Sequence, residues 1–208
     1  MAPVDSSLIT AVSVREHFSS ALETATRNQD VALQETTSAY VVNLLTEYCT
    51  ANALREVSDG GRHIRPLALI YADALEAEHP EQRRRALQKL GDIALFIAGI
   101  FADSLARHAV DVDYYIGMGG SAYGYLHESL QRSSRAAGVA ELFAELEFKF
   151  GALVDVLGEI SEMSGLKSNS DTLRAYELWL KTGSVRARRQ LVRSGIHPIG
   201  LAASGPAH

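Results

Sequence analysis

The stretch EQRRRALQKLGDIALFIAGIFADSLAR, Glu81 to Arg107, decides the fold. Its apolar residues Leu87, Leu90, Ala94, Ile97, Phe101 and Leu105 recur at three- and four-residue intervals, the stripe that an α-helix turns toward a core. Ile93, Phe96 and Ile100 fill much of the remaining circumference. A helix that is apolar nearly all round has to be encircled by other elements. The segment therefore predicts a buried central helix. Pro80 in front of it suits a first helical turn, where the missing N–H is no loss.

Outward from this helix the chain keeps the same period. A first helix is expected from Val14 to Arg27, with Ser13 and Glu16 as a capping box, and a second from Asp30 to Leu54 with the stripe Tyr40, Leu44, Leu45, Tyr48. A third begins at Pro66 and ends before Pro80, because the residue ahead of a proline resists the α region. Beyond the centre, Asp111 or Asp113 caps a helix from Tyr114 to Arg132. Ala137 to Met163 follows, then a shorter helix from Asp171 through Leu180, and a last one capped by Ser184 and running to Arg193. No period-2 alternation marks a strand. The expected fold is all-α: a compact single-domain bundle of about seven to eight helices, residues 1–195, around the buried central helix. Residues 196–208, rich in Pro, Gly, Ala and Ser, read as an extended or flexible tail.

Composition narrows the function classes. The 208 residues carry a net charge of -5, which disfavours nucleic acid as a partner. The single cysteine, Cys49, excludes an internal disulfide, suits a reducing compartment and sits in an apolar helical stretch as an inert thiol. The longest apolar run, Ile93 to Ala102, is half of a membrane span, and the N-terminal region lacks the basic cluster of a signal peptide. A soluble, cytoplasmic protein without membrane attachment is the expectation.

The oddest feature is Gly117-Met118-Gly119-Gly120-Ser121-Ala122-Tyr123-Gly124. Glycine inside a helix costs about 1 kcal/mol relative to alanine, so something should offset it. Close helix crossing at Gly120 and Gly124 is one reading. A second is room for a ligand, which would place Tyr115, Gly119, Gly120, Tyr123 and His127 at a binding site, and a third is a break in the helix whose freed amides bind an anion. Neither a preceding strand nor a following lysine supports a phosphate loop.

Arg62, His63 and Arg65 stand just ahead of a predicted helix N-terminus, where guanidinium groups and helix-end amides together suit a phosphate or carboxylate. Over seven residues, Gly60-Gly61-Arg62-His63-Ile64-Arg65-Pro66 resembles the diphosphate-binding segment of isoprenyl diphosphate synthases. Those enzymes also hold magnesium on aspartate-rich motifs, and this chain has no Asp-Asp pair. Their activity is therefore not carried over.

Asp92 and Asp103 lie three turns apart on the most apolar helix, on a face shared with Phe96 and Gly99. Carboxylates in such surroundings need partners. Arg107 is spaced to form a structural ion pair with Asp103. A di-metal bundle would need Glu-x-x-His on two helices, and only Glu76 to His79 matches, so no metal is expected and no cofactor is indicated. Asp155, Glu159 and Glu162 read as a solvated acidic stripe. Arg186, Arg188, Arg189 and Arg193, with Lys181, form a basic segment without acids in an otherwise acidic chain.

These features favour a non-enzymatic helical protein that binds a protein partner or a small ligand, as a regulatory or accessory subunit or through self-association. The alternative is an enzyme or carrier with an internal pocket between the central helix and the Gly/Tyr-rich helix. That pocket would take a small anionic molecule on Arg62 and Arg65, with Asp103, Tyr123 or His127 as acid-base groups.

Overall fold

The structure, a computed structural model, describes residues 6–49, 67–105, 112–131, 136–164 and 184–194, with positions 172, 175, 176, 179 and 196. Side chains at 6–13, 49, 103, 104 and 185 fall outside that description. The described residues form helices joined by turns, with no strand among them: α1 (Ser6–Asn28), α2 (Glu35–Cys49), α3 (Leu67–Glu76), α4 (Pro80–Ile100), α5 (Ala102–Leu105), α6 (Val112–Gln131), α7 (Ala137–Phe148), α8 (Phe150–Met163) and α9 (Val185–Arg193). None of them is long and apolar enough to cross a membrane. The fold is an all-α bundle.

Helix α4 is its axis. Every residue from Ile93 to Phe101 is buried, as expected for a helix apolar on all sides. It packs against α6, α8, α3 and α2, while α1 lies across α2 and α8. Pro80 takes the first turn, as the sequence predicts. The helix stops earlier than expected, however. Phe101 leaves helical geometry (φ -119°, ψ 18°), and the short α5 follows, so Asp103 stands on a separate element from Asp92.

Other boundaries also differ from the sequence reading. α1 begins at Ser6, so Ser13 lies within the helix rather than ahead of it. Asp30 does not begin α2; it ends α1. Its φ is 55°, the left-handed region, with Asp30 N–H on Arg27 O at 3.4 Å and Val31 N–H on Thr26 O at 2.9 Å. This is a Schellman closure, and it holds an aspartate where glycine is usual. The predicted helix from 137 to 163 is two helices. Lys149 (φ -100°, ψ 14°) separates α7 from α8, leaving Phe148 87% exposed and turning Phe150 into the core.

The same lysine secures the loop ahead of α2. Its Nζ donates to Ala32 O and, at 2.7 Å, to Glu145, and the Gln34 N–H donates to Glu145 at 3.1 Å. Burial acts to raise the Glu145 pKa, but these donors outweigh it and hold the carboxylate below its ordinary value. On the far side, Glu159 accepts from Asn28 and Gln29 at 2.6 and 2.7 Å, tying the end of α1 to α8. Its pKa is also lowered, chiefly by Gln29 and then Asn28.

Ser184 caps α9 as predicted, its hydroxyl accepting from Ala187 N–H at 3.3 Å. Ala187 and Leu191 point into the core with Tyr176 and Trp179, and Ile196, its N–H on Leu191 O at 3.0 Å, is buried beside them. The packed body thus reaches Ile196, inside the expected tail. Positions 197–208 lie outside the described residues.

Candidate functional site

The chemistry in the interior gathers at Asp92, one residue past Gly91 on α4. Tyr40 on α2 donates to Asp92 Oδ1 at 2.6 Å, and Tyr123 on α6 donates to the same oxygen at 2.8 Å. Gln88, one turn earlier on α4, donates its amide to the Tyr40 hydroxyl at 3.0 Å. Three helices thus meet on one carboxylate. Phe143 of α7 closes the cluster, its ring 6.0 Å from Tyr40 and 5.7 Å from Tyr123, and Phe150 of α8 lies 5.8 Å from Tyr123.

Small residues make this geometry possible. A Cβ on Gly91 would lie 2.5 Å from the Tyr123 ring, so only glycine lets that ring lie on the α4 backbone and reach Asp92. On the opposite helix, a Cβ on Gly119 would meet the Phe150 ring at 2.3 Å, and one on Gly124 would meet the Glu147 carboxylate at 2.5 Å. Gly119 therefore serves close approach, whereas the Glu147 carboxylate end near Gly124 is flexible and can move aside. A Cβ on Gly117 or Gly120 would meet nothing within 4 Å among the described residues, so none of them makes the crossing expected at Gly120.

The cluster is electrostatically unusual. Asp92 is partly buried, and loss of solvation pushes its pKa up to about 7. The Tyr40 and Tyr123 hydrogen bonds act against that rise, as does Lys89, while Glu47 adds to it. Burial, then the negative field of Asp92, drives the pKa of both tyrosines far upward, so they remain donors at any ordinary pH. Tyr48, stacked on Phe96 at 4.8 Å, is shifted the same way for the same reasons. Such an arrangement can take up or release one proton near neutrality. It cannot present a tyrosinate nucleophile.

Most of the residues singled out in the sequence do not converge. Arg62, His63, Arg65 and Arg107 lie outside the described residues, as does the side chain of Asp103, so the anion site and the Asp103–Arg107 pair find no description here. Tyr115 is buried near the start of α6 and meets Tyr114 edge-on at 5.4 Å. His127 joins α6 to α7, with Nδ1 2.9 Å from Ala140 O and Nε2 2.6 Å from the Gln131 amide. Only Tyr123 of that set belongs to the Asp92 cluster. Among the described residues, no three His, Cys, Asp or Glu side chains are grouped to hold a metal.

Tyr40 and Gln88 are the members that sequence reasoning missed as site residues. Tyr40 belongs to the apolar stripe of α2 and Asp92 needs a partner on its apolar helix, but nothing in their spacing joins the two. Two of the described cavities are open grooves. One of about 390 Å³ runs between α1 and α2 beside Arg15, Leu22, Glu35 and Val42, and one of about 200 Å³ lies between α4, α6 and α7, bordered by Arg84, Arg85 and Leu130 and reaching Gln88 and Phe143 of the Asp92 cluster. Where Gly91 and Gly119 bring α4 and α6 together, the space is filled by the rings of Tyr123 and Phe150.

Compared with protein-family models, curated proteins and solved structures, the chain finds no match.

Proposed function

We propose that this chain works by binding another protein surface, a second copy of itself included, as a non-enzymatic accessory subunit. The observation that carries this reading is α3. Leu67, Ile70 and Ala74 of that helix are buried, yet Leu69 and Leu75 on its other sides are 48% and 47% exposed. Among the described residues α3 packs chiefly on α4, which leaves the sides bearing Leu69 and Leu75 uncovered by any described helix. Val139 and Phe148 add exposed apolar side chains on α7. The alternative of an internal pocket for a small anion has less support, because the rings of Tyr123 and Phe150 fill the α4–α6 contact around Gly91 and Gly119, and the groove by Arg84 and Arg85 is open rather than internal.

Photo-crosslinking tests the reading. With p-benzoylphenylalanine at position 69, irradiation in extract of the producing cells should yield a discrete adduct, with this chain itself or with another protein. The same group at Glu23, an exposed polar position, should not. No adduct at position 69 above the Glu23 control would overturn the proposal.

A further inference from the structure

The structure assigns a second recognition surface: we propose that the outer face of α9 docks an acidic helical segment of a partner protein. The inference deepens the protein-binding reading but uses a face other than α3. Helix α9 carries Arg186, Arg188, Arg189 and Arg193 and no acid. Its Ala187 and Leu191 are buried, which aims Arg186, Arg189 and Arg193 outward along a single side. Those three are exposed and make no ion pair with any described residue. Arg188, at the edge of the buried side, is engaged within the protein.

The helix that carries the row is preorganised. The Ser184 cap and the burial of Ala187, Leu191 and Ile196 fix the helix, so its backbone has little order left to gain on binding and the cost falls on the arginine side chains. Positions 186, 189 and 193 span about 10.5 Å along the axis. Glutamates spaced three and four residues apart on a partner helix repeat that interval, and each planar guanidinium can hold a carboxylate through two hydrogen bonds.

Charge selects among polyanions. The chain's net charge of -5 already includes the four arginines of α9, so everything outside that helix carries -9. A nucleic acid or an anionic membrane presents an extended negative surface that this body repels. Membrane insertion would also need apolar side chains on the outer face, and Ala187 and Leu191 point inward. A short acidic helix meets the arginine row alone.

The test uses the full chain and a rhodamine-labelled synthetic helix of about five turns, with glutamates at alternating three- and four-residue intervals. Fluorescence anisotropy should show binding that weakens as NaCl rises from about 50 to about 300 mM. The R186E/R189E/R193E variant should bind about 10-fold or more weakly, and a peptide with lysines in place of glutamates should regain affinity for it. R189E alone, at the middle of the row, should lose an intermediate amount, which guards against misfolding of the triple variant. Equal or tighter binding of a scrambled peptide, a short DNA duplex or phosphatidylserine vesicles would overturn the assignment, as would binding that survives the triple reversal. A Leu69 adduct without peptide binding sinks this inference alone; absence of both sinks the protein-binding reading with it.

Discussion

The ring of Tyr123 stands where a side chain on Gly91 would be: a Cβ there would lie 2.5 Å from Tyr123 Cε1 and 2.7 Å from Cδ1. That contact brings α6 close enough to α4 for the Tyr123 hydroxyl to reach the Asp92 carboxylate at 2.8 Å. A single missing side chain thus sets both the helix spacing and the polar link across it.

Gly91→Ala should therefore destabilise the protein by about 2–4 kcal/mol, combining overpacking with loss of a hydrogen bond to a carboxylate. Gly117→Ala and Gly120→Ala, which meet nothing within 4 Å, should do the opposite, each adding about 0.5–1 kcal/mol through helix propensity. Urea denaturation of the three variants checks the pair of signs. A loss at Gly117 or Gly120 matching that at Gly91 would refute the packing account.

The Asp92 cluster predicts a pH dependence of stability. The folded pKa of about 7 lies above the ordinary carboxyl value, so the folded state holds a proton that the unfolded state has released. Its stabilising effect is fully present below about pH 4 and declines as pH rises through about 7, at up to about 1.4 kcal/mol per unit. The groups that bear on Asp92 are Tyr40, Glu47 and Tyr48 on α2, Gln88 and Lys89 on α4, and Tyr123 on α6. Glu145 and Glu159, with lowered pKa values, act oppositely, their contribution being lost as pH falls through the carboxylate range. Denaturation measured from about pH 5 to about pH 8 should show the decline in the wild type and a flatter profile in Asp92→Asn. Identical profiles would show that the carboxyl does not titrate there.

Arg83 closes the end of α3 without an acidic partner among the described residues. Its guanidinium donates to Ala74 O at 3.0 Å, to Leu75 O and Ala77 O at 2.9 Å each, and to the Tyr125 hydroxyl at 3.2 Å. The carbonyls are those that a helix end leaves orphaned, and a cation there also meets the negative end of the helix dipole. Arg83→Met keeps the stem but removes every donor. It should cost about 2–3 kcal/mol and raise amide exchange in α3 above that in α8. Lysine at this position should recover little, since it has no planar fork. Unchanged exchange in α3 would count against the anchoring role.

Asp30 offers a gain rather than a loss. Its φ of 55° strains most side chains, so Asp30→Gly should stabilise by up to about 1 kcal/mol, and Asp30→Val should destabilise by more than that. Thermal melts of the two variants should bracket the wild type; a lower melting temperature for the glycine variant would contradict the left-handed assignment.

The primary sequence by itself determined the helical class, the buried axis and several helix ends. Periodicity of Leu87, Leu90, Ala94 and Ile97 is a local property, and the apolar circumference from Ile93 to Phe101 leaves no solvent-facing side. Pro80 and Ser184 act through their own backbone or side-chain chemistry, so their effects also show locally. The breaks at Asp30, Phe101 and Lys149 were hidden, because none carries a glycine or proline signal and Lys149 is held by groups far away along the chain, Ala32 among them.

Only the tertiary structure decided which glycines matter and what Asp92 does. Gly119 and Gly120 are adjacent in sequence and alike in propensity, yet one lies under Phe150 and a Cβ on the other would meet nothing within 4 Å among the described residues. Asp92 was legible as a carboxylate in need of a partner, and the partners, Tyr40 and Tyr123, come from helices on either side of α4 in the chain order. Helical spacing reports which residues share a face of one helix. It carries no information about which faces of different helices meet, because that choice is made when the apolar surfaces of several helices are buried together.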